Sequence, residues 1–171
     1  MSEGILKGNV WRFGHDISTD LLSPGGYAVA TVDERKMHTL ESVSPRFAHE
    51  VCPGDVVVSG RNFGCGSSRE TAPENLKALG VACIVAESLS RLFLRNAVAI
   101  GLPALVCEGV HDAFSDGDDI EIDLASGRVV NTVSGVALRA APFPREMRDI
   151  LAAGGILAVL RNQFETPKGL S

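Results

Sequence analysis

Apolar and polar positions divide the chain into three stretches of different rhythm. In the first, residues 5–13 (ILKGNVWRF) are part-alternating and predict a strand. Gly14 to Asp20 is rich in turn formers and acids, and Ser23-Pro24-Gly25-Gly26 marks a loop. Residues 33–41 predict a short helix, with Asp33 as N-cap and Met37 and Leu40 on its apolar side.

The middle stretch has continuous apolar runs separated by helical patterns. Pro53-Gly54 launches Asp55-Val56-Val57-Val58-Ser59, a β-branched run suited to a strand buried on both faces. A helix is predicted over about residues 69–79, ended by Gly80. Val81 to Ala86 reads as a second buried strand and residues 88–99 as a helix. That helix has Leu92, Phe93 and Val98 as core candidates and Arg91 and Arg95 on another face. Gly101-Leu102-Pro103 breaks it, and Ala104 to Cys107 is a third strand. Strand–helix–strand–helix–strand with short connections predicts a parallel α/β unit. In the last stretch, Asp119 to Leu124 alternates strictly, Ser126-Gly127 is a turn, and Val129-Val130 opens a return strand, which together read as a hairpin. A final helix is predicted over 144–153, with Gly154-Gly155 after it and a frayed tail from Thr166. The fold class is α/β, one domain over residues 1–171.

Composition narrows the function. The chain has 171 residues, 45% apolar and 22% charged, and a formal net charge of −5. Its basic residues are scattered, which argues against nucleic acid as a partner because phosphate binding needs concentrated positive charge. No apolar run approaches the roughly 20 residues that span a bilayer, so no membrane partner is expected. Met1-Ser2-Glu3-Gly4 lacks a basic region before an apolar core, and a cytoplasmic chain is expected. Cys52, Cys65, Cys83 and Cys107 form no Cys-x-x-Cys pair, and His15, His38, His49 and His111 have no ligand spacing. No metal ligand is assigned here; a metal cofactor, if used, is expected on another chain.

The chemistry concentrates in Gly60 to Pro73, GRNFGCGSSRETAP, between a buried strand and a helix. Its glycines allow tight turns and close approach to a ligand. Two hydroxyls and a guanidinium are expected at the helix start, where unpaired N–H groups and the helix dipole favour an anion. An arginine fork adds bidentate carboxylate or phosphate recognition. The patterns of the P-loop, the dinucleotide-binding turn and the hydrolase elbow are all absent. The plainer alternative is that Ser67 or Ser68 caps the helix and Arg69 is a surface charge.

Asn62-Phe63-Gly64-Cys65-Gly66-Ser67-Ser68-Arg69-Glu70 resembles the signature of the swivel domain of the aconitase superfamily, nearest to the small subunits of isopropylmalate dehydratase and homoaconitase. The resemblance extends through Gly80 to Ser88, through Phe93 to Pro103, and to Asp16-Ile17-Ser18-Thr19-Asp20 followed by Pro24. It implies a swivelling β/β/α domain with a central, mostly parallel sheet, flanking helices and additional strands. It implies a hydro-lyase small subunit, inactive alone, that pairs as a heterodimer with a large catalytic subunit carrying a [4Fe–4S] cluster. No cofactor would be bound by this chain. By resemblance Ser67 is the catalytic base toward carbon, Ser68 and Arg69 hold a substrate carboxylate, and Gly66 belongs to the substrate-binding set.

The resemblance also gives a role to Pro24 to Thr31, a loop that helps choose among substrates. Tyr27, Ala28, Val29 and Ala30 would face the variable side group, and their apolar character suits an alkyl-substituted malate. The expected reaction is conversion of 2-isopropylmalate to 3-isopropylmalate in leucine biosynthesis. Thr71 stands where the family commonly has His or Gln, and Ala28 where Leu is usual. A dehydratase of the dimethylmalate, citramalate or homoaconitate type, a non-catalytic carboxylate-binding module and an assembly scaffold stay open. His15 and Asp16 could line the same cleft or serve only the turn.

Overall fold

The computed structural model describes residues 4–165. Seven strands, β1 (Ile5–Arg12), β2 (Val56–Ser59), β3 (Cys83–Ala86), β4 (Ala104–Val106), β5 (Asp119–Asp123), β6 (Arg128–Asn131) and β7 (Ala137–Arg139), form one sheet. Their spatial order is β4-β3-β2-β1-β5-β6-β7. The helices are α1 (Thr19–Leu22), α2 (Val32–Arg35), α3 (Phe47–Glu50), α4 (Thr71–Ala78), α5 (Arg91–Ala99), α6 (Val110–Ala113), α7 (Arg145–Ala153) and α8 (Ile156–Glu165).

The first four strands are parallel, with Val10 opposite Val56, Val57 opposite Ile84 and Val85 opposite Leu105. From β1 outward the pairing turns antiparallel: Lys7 faces Glu121, Ile122 faces Val129, and Val129 faces Leu138. The sheet is thus a parallel α/β half joined through β1 to an antiparallel half. β2 and β3 are buried at every position, because helices cover both faces of the parallel half. Val57 and Ile84 point into a core with Leu76, Phe93, Leu22, Leu40 and Phe47. Val56, Val58, Cys83 and Val85 point the other way, into a core with Val110, Phe114, Ile120, Ile122 and Val129. The alternating Asp119–Asp123 run buries Ile120 and Ile122 and leaves its acids outside, as its pattern predicts.

Several expected boundaries move. The helix expected at 33–41 is α2 followed by a 3-10 turn over Lys36–His38, and Leu40 sits in the left-handed region at φ 59°. Its N-cap is Thr31 in a capping box with Glu34, not Asp33, which lies inside the helix. Leu92 is on the exposed side of α5, while Phe93 and Val98 are buried. Gly154-Gly155 does not end the helical region, because α8 follows at once. The frayed tail expected from Thr166 lies outside the described residues. No helix among the described residues is long and apolar enough to cross a membrane.

Candidate functional site

Because β1, β2 and β3 run parallel, the segments leaving their C-terminal ends share one edge of the sheet. Residues 60–66 thread between the other two. On one side Gly60 N–H donates to Gly14 O (3.0 Å), Asp16 N–H to Arg61 O (2.8 Å), Gly64 N–H to Ile17 O (2.7 Å) and Thr19 N–H to Cys65 O (2.8 Å). On the other, Phe63 N–H donates to Ser88 O (3.1 Å) and Ser90 N–H to Phe63 O (2.9 Å). The glycine loop therefore behaves as a short continuation of β2 with its backbone groups paired, which is how a loop can be rigid.

The ends of the loop are held by side chains. His15 Nδ1 accepts from Arg61 N–H at 2.7 Å, and Asn62 Nδ2 donates to Asp16 Oδ1 at 3.0 Å. Asp16 and Asn62 both have positive φ, 58° and 65°, so the two left-handed residues brace each other. These contacts make His15 and Asp16 supports of the turn. Gly64, at φ 79°, lies against Phe93, where a Cβ would come 2.4 Å from the ring.

Past Gly66, at φ 100°, the chain presents Ser67 and Ser68 to solvent. Neither serine caps a helix. Arg69 N–H closes a tight turn onto Ser67 O at 2.9 Å, and α4 begins at Thr71 with Glu70 in the N-cap position. The expectation that the hydroxyls and guanidinium sit on the helix start is corrected: they occupy the turn before it. The capping alternative falls with that expectation. Ser68 Oγ has no hydrogen-bond partner among the described residues.

Ser67 and Arg69 each rest on α1. Thr19, buried, donates from Oγ1 to Ser67 O at 2.9 Å, and its Oγ1 lies 3.4 Å from Ser67 Oγ. Arg69 Nη1 donates to Ser23 O at 2.8 Å and to Asp20 Oδ1 at 3.2 Å. Asp20 is 72% exposed and Arg69 37%. An ion pair this wet is worth about 1 kcal/mol at most, so another anion could displace Asp20 at little cost. Ser23 Oγ completes the contact to α4, 2.7 Å from Thr71 Oγ1. Thr71 is therefore occupied in joining α1 to α4.

The loop from Pro24 begins beside this group: a Cβ at Gly25 would sit 3.5 Å from the Arg69 guanidinium. Tyr27 stacks on His38, ring centroids 3.6 Å apart and planes 7° from parallel. Ala28 and Val29 stand exposed, and Ala30 is half-buried. Tyr27 is thus turned against the protein, while Ala28 and Val29 face outward. Thr19, Asp20 and Ser23 lie in the stretch that carries the resemblance, but nothing in their spacing showed that they would hold Ser67 and Arg69. Arg35, Glu74 and Asn75, which fasten the end of the loop, gave no sequence signal at all.

Among the described residues no group of three or more His, Cys, Asp or Glu side chains could hold a metal ion. Cys83 and Cys107 are buried in the core, Cys52 is exposed, and Cys65 is half-buried in the glycine loop with its carbonyl bonded to Thr19. Among the described residues the four thiols lie apart from one another and from any His cluster.

Residues 20–108 match the aconitase C-terminal domain family. The chain is 47% identical to 3-isopropylmalate dehydratase small subunit 1 of Methanopyrus kandleri, over 93% of this chain and 94% of that one. It is 41% identical to the isopropylmalate/citramalate isomerase small subunit of Methanocaldococcus jannaschii, over 94% and 96%. It is 47% identical to the methanogen homoaconitase small subunit of Methanothermobacter thermautotrophicus, over 91% and 90%. The crystal structure of 3-isopropylmalate dehydratase from M. jannaschii aligns with a TM-score of 0.88 and 37% identity, covering 94% of this chain and 95% of that chain.

Proposed function

As the chain belongs to the aconitase C-terminal domain family and, within it, to the hydro-lyase small subunits of isopropylmalate dehydratase, we propose that its Ser67-Ser68-Arg69 turn handles an alkyl-substituted malate, foremost 2-isopropylmalate. A small subunit has a large-subunit partner. The reading assigns a [4Fe–4S] cluster to that partner, where it supplies Lewis-acid activation of the departing hydroxyl. It also places the pair, a heterodimer, in leucine biosynthesis in the cytoplasm.

The share of the chemistry carried by this chain is proton transfer at carbon and grip on a carboxylate. Ser67 acts as its alkoxide: the hydroxyl proton is first lost to solvent, and Oγ then takes the proton alpha to a carboxylate and returns to the neutral hydroxyl. A serine hydroxyl is a poor base at neutral pH, so its alkoxide needs stabilising neighbours. Thr19 Oγ1 has one proton, given to Ser67 O in the resting geometry, and Ser67 Oγ is close enough to receive it instead. Ser67 O would keep its second partner, Arg69 N–H. Thr19 can therefore stabilise the alkoxide before it takes the proton, and turn back to Ser67 O once Oγ is neutral. Arg69 and the free hydroxyl of Ser68 hold the carboxylate whose charge develops in the transition state. Gly66 keeps side-chain bulk away from Thr19, since a Cβ there would press to 3.3 Å from Thr19 Oγ1.

The single observation that carries this reading is the exposure of Ser67 and Ser68 on a rigid loop, beside an arginine whose carboxylate partner is wet and replaceable. Choice of an alkyl side group rests on the loop. Residues 24–31 contain no cation, and the guanidinium of nearby Arg35 is consumed by Ala30 O, Glu74 and Asn75. A third carboxylate there would be left without a partner, at a cost of several kcal/mol if buried. Citramalate, with a methyl side group, is the nearest competing substrate, and the M. jannaschii relative favours keeping it in view.

The test is anaerobic reconstitution with the large subunit and assay on alkyl-malates and homocitrate. Turnover of 2-isopropylmalate above homocitrate supports the reading, and preference for homocitrate overturns the account of the loop. Ser67→Ala should lower turnover by about 100-fold or more with KM changed by less than about 3-fold. Near-wild-type turnover would remove Ser67 from the base role.

A further inference from the structure

We propose that Arg35 is a positioning residue for substrate selectivity: together with Glu74 and Asn75 it clamps the far end of the Pro24–Ala30 loop to the helix that follows the Ser67-Ser68-Arg69 turn. The proposal rests on the reading of that loop as the part facing the substrate side group.

All three nitrogens of the Arg35 guanidinium are used. Nη1 donates to Ala30 O at 3.0 Å, Nη2 to Glu74 Oε1 at 2.9 Å, and Nε lies 3.5 Å from Asn75 Oδ1. Asn75, fully buried, passes the connection on by donating from Nδ2 to Leu22 O at 3.2 Å. The loop's near end is fixed to the same elements, through Ser23 Oγ to Thr71 Oγ1 and through Arg69 to Ser23 O. Both ends of the loop are thus anchored on α4 and the turn before it, while Ala28 and Val29 between them stand free in solvent. A loop held only at Ser23 and by the Tyr27–His38 stack could still shift Ala28 and Val29 without disturbing Arg69. A loop held also at Ala30 keeps both residues at a fixed distance from the guanidinium.

The asymmetry of the ion pair points the same way. The Arg35 side chain is 10% exposed, but that of Glu74 is 47% exposed. Burying one guanidinium for a wet carboxylate is a poor way to gain stability, since its dehydration offsets the attraction. What a planar fork provides that an apolar side chain cannot is fixed geometry toward several acceptors at once.

The experiment uses the reconstituted two-subunit enzyme with Arg35→Met, which keeps length and apolar packing, and with the milder Glu74→Gln at the wet end. Two quantities are read. The first is the ratio of kcat/KM for 2-isopropylmalate to that for citramalate. The second is amide hydrogen exchange across residues 27–31. In Arg35→Met, exchange at residues 27–31 should rise about 10-fold or more while residues 56–59 and 83–86 stay protected. The selectivity ratio should fall by about 10-fold, through KM for the larger substrate, with kcat on citramalate kept within about 2-fold. Glu74→Gln should shift both quantities in the same direction by less. A purely structural Arg35 would lower activity on both substrates equally and leave the ratio unmoved, and that result overturns the clamp. Unchanged exchange at 27–31 overturns it as well. If the wild-type enzyme turned over neither malate, the reading of the loop would fail, and the exchange measurement would still decide whether Arg35 holds it.

Discussion

Gly64 determines how close the Ser67-Ser68-Arg69 turn can lie to α5. Its φ of 79° and the 2.4 Å approach of a Cβ to Phe93 leave no room for a side chain. Left-handed backbone costs an alanine about 1–2 kcal/mol and overpacking about 1–3 more. Gly64→Ala should therefore lower unfolding free energy by about 2 kcal/mol or more in urea titration. Thr19 presents the opposite balance. Thr19→Val removes a donor, but Ser67 O keeps its bond from Arg69 N–H. The cost in stability should be only about 1 kcal/mol, while turnover falls roughly 10–100-fold because Ser67 loses its support. A thermal melt beside a turnover assay separates the two effects. The thiols divide by environment as well. Burial, with Glu87 adding to it, pushes the Cys107 thiol up to about 11, and burial pushes Cys83 higher still. A disulfide reagent at about pH 8 should label Cys52 promptly and reach Cys83 and Cys107 only on unfolding. Both folded-state values are raised, so the stabilising contribution is intact below the ordinary thiol value of 9.0 and is lost as pH climbs above it.

At the scale of elements, two carboxylates brace the β5–β6 hairpin beside its strand pairing. Ser115 N–H and the Asn131 amide hold Asp118 below its ordinary value, and the Ser126 hydroxyl and Ala125 N–H do the same for Asp123. Lowered folded-state values mean stability that is present above pH 3.8 and drains away as the pH falls through them. Amide protection factors in β5 and β6 should fall between about pH 4 and pH 2, and Asp118→Asn with Asp123→Asn should flatten that dependence. This hairpin was fully legible in the sequence, because strict alternation and Ser126-Gly127 are local signals. The parallel unit was legible for the same reason: each of its strands is a contiguous β-branched or apolar run. β7 was not, since three residues at a sheet edge carry no period. α8 was hidden because it turns Leu157, Leu160 and Phe164 outward and follows a glycine pair that reads as a stop. Gly155 is in fact demanded by packing, as a Cβ there would meet Ala99 O at 2.8 Å. The residue types of the Ser67-Ser68-Arg69 turn could be read directly, but their placement could not. Arg69 N–H bonds Ser67 O and delays the helix to Thr71, and Pro73 fits its first turn without needing an N–H partner. The Arg35 network joins residues 39 and 40 positions apart, and no local pattern encodes such a pairing.

For the whole molecule, the exposure of Ser67 and Ser68 has a direct test. They lie on an outer edge of the sheet, and an acyl-alpha proton is not abstracted in open water by a bare hydroxyl. The chain alone should show no dehydration of alkyl-malates by the ultraviolet absorbance of the alkene product, and activity should rise with added large subunit to a stoichiometric plateau. The order of the strands has another consequence, for how the chain is made. β1 is translated first and yet sits between β2 and β5, pairing with Val56 on one flank and with residues up to Asp123 on the other. Contacts so distant along the chain are slow to form, because loop closure comes before the reward of pairing. On the ribosome β1 must wait with one edge bare until the hairpin emerges, and in that interval the nascent polypeptide is most open to capture by chaperones or by other strands.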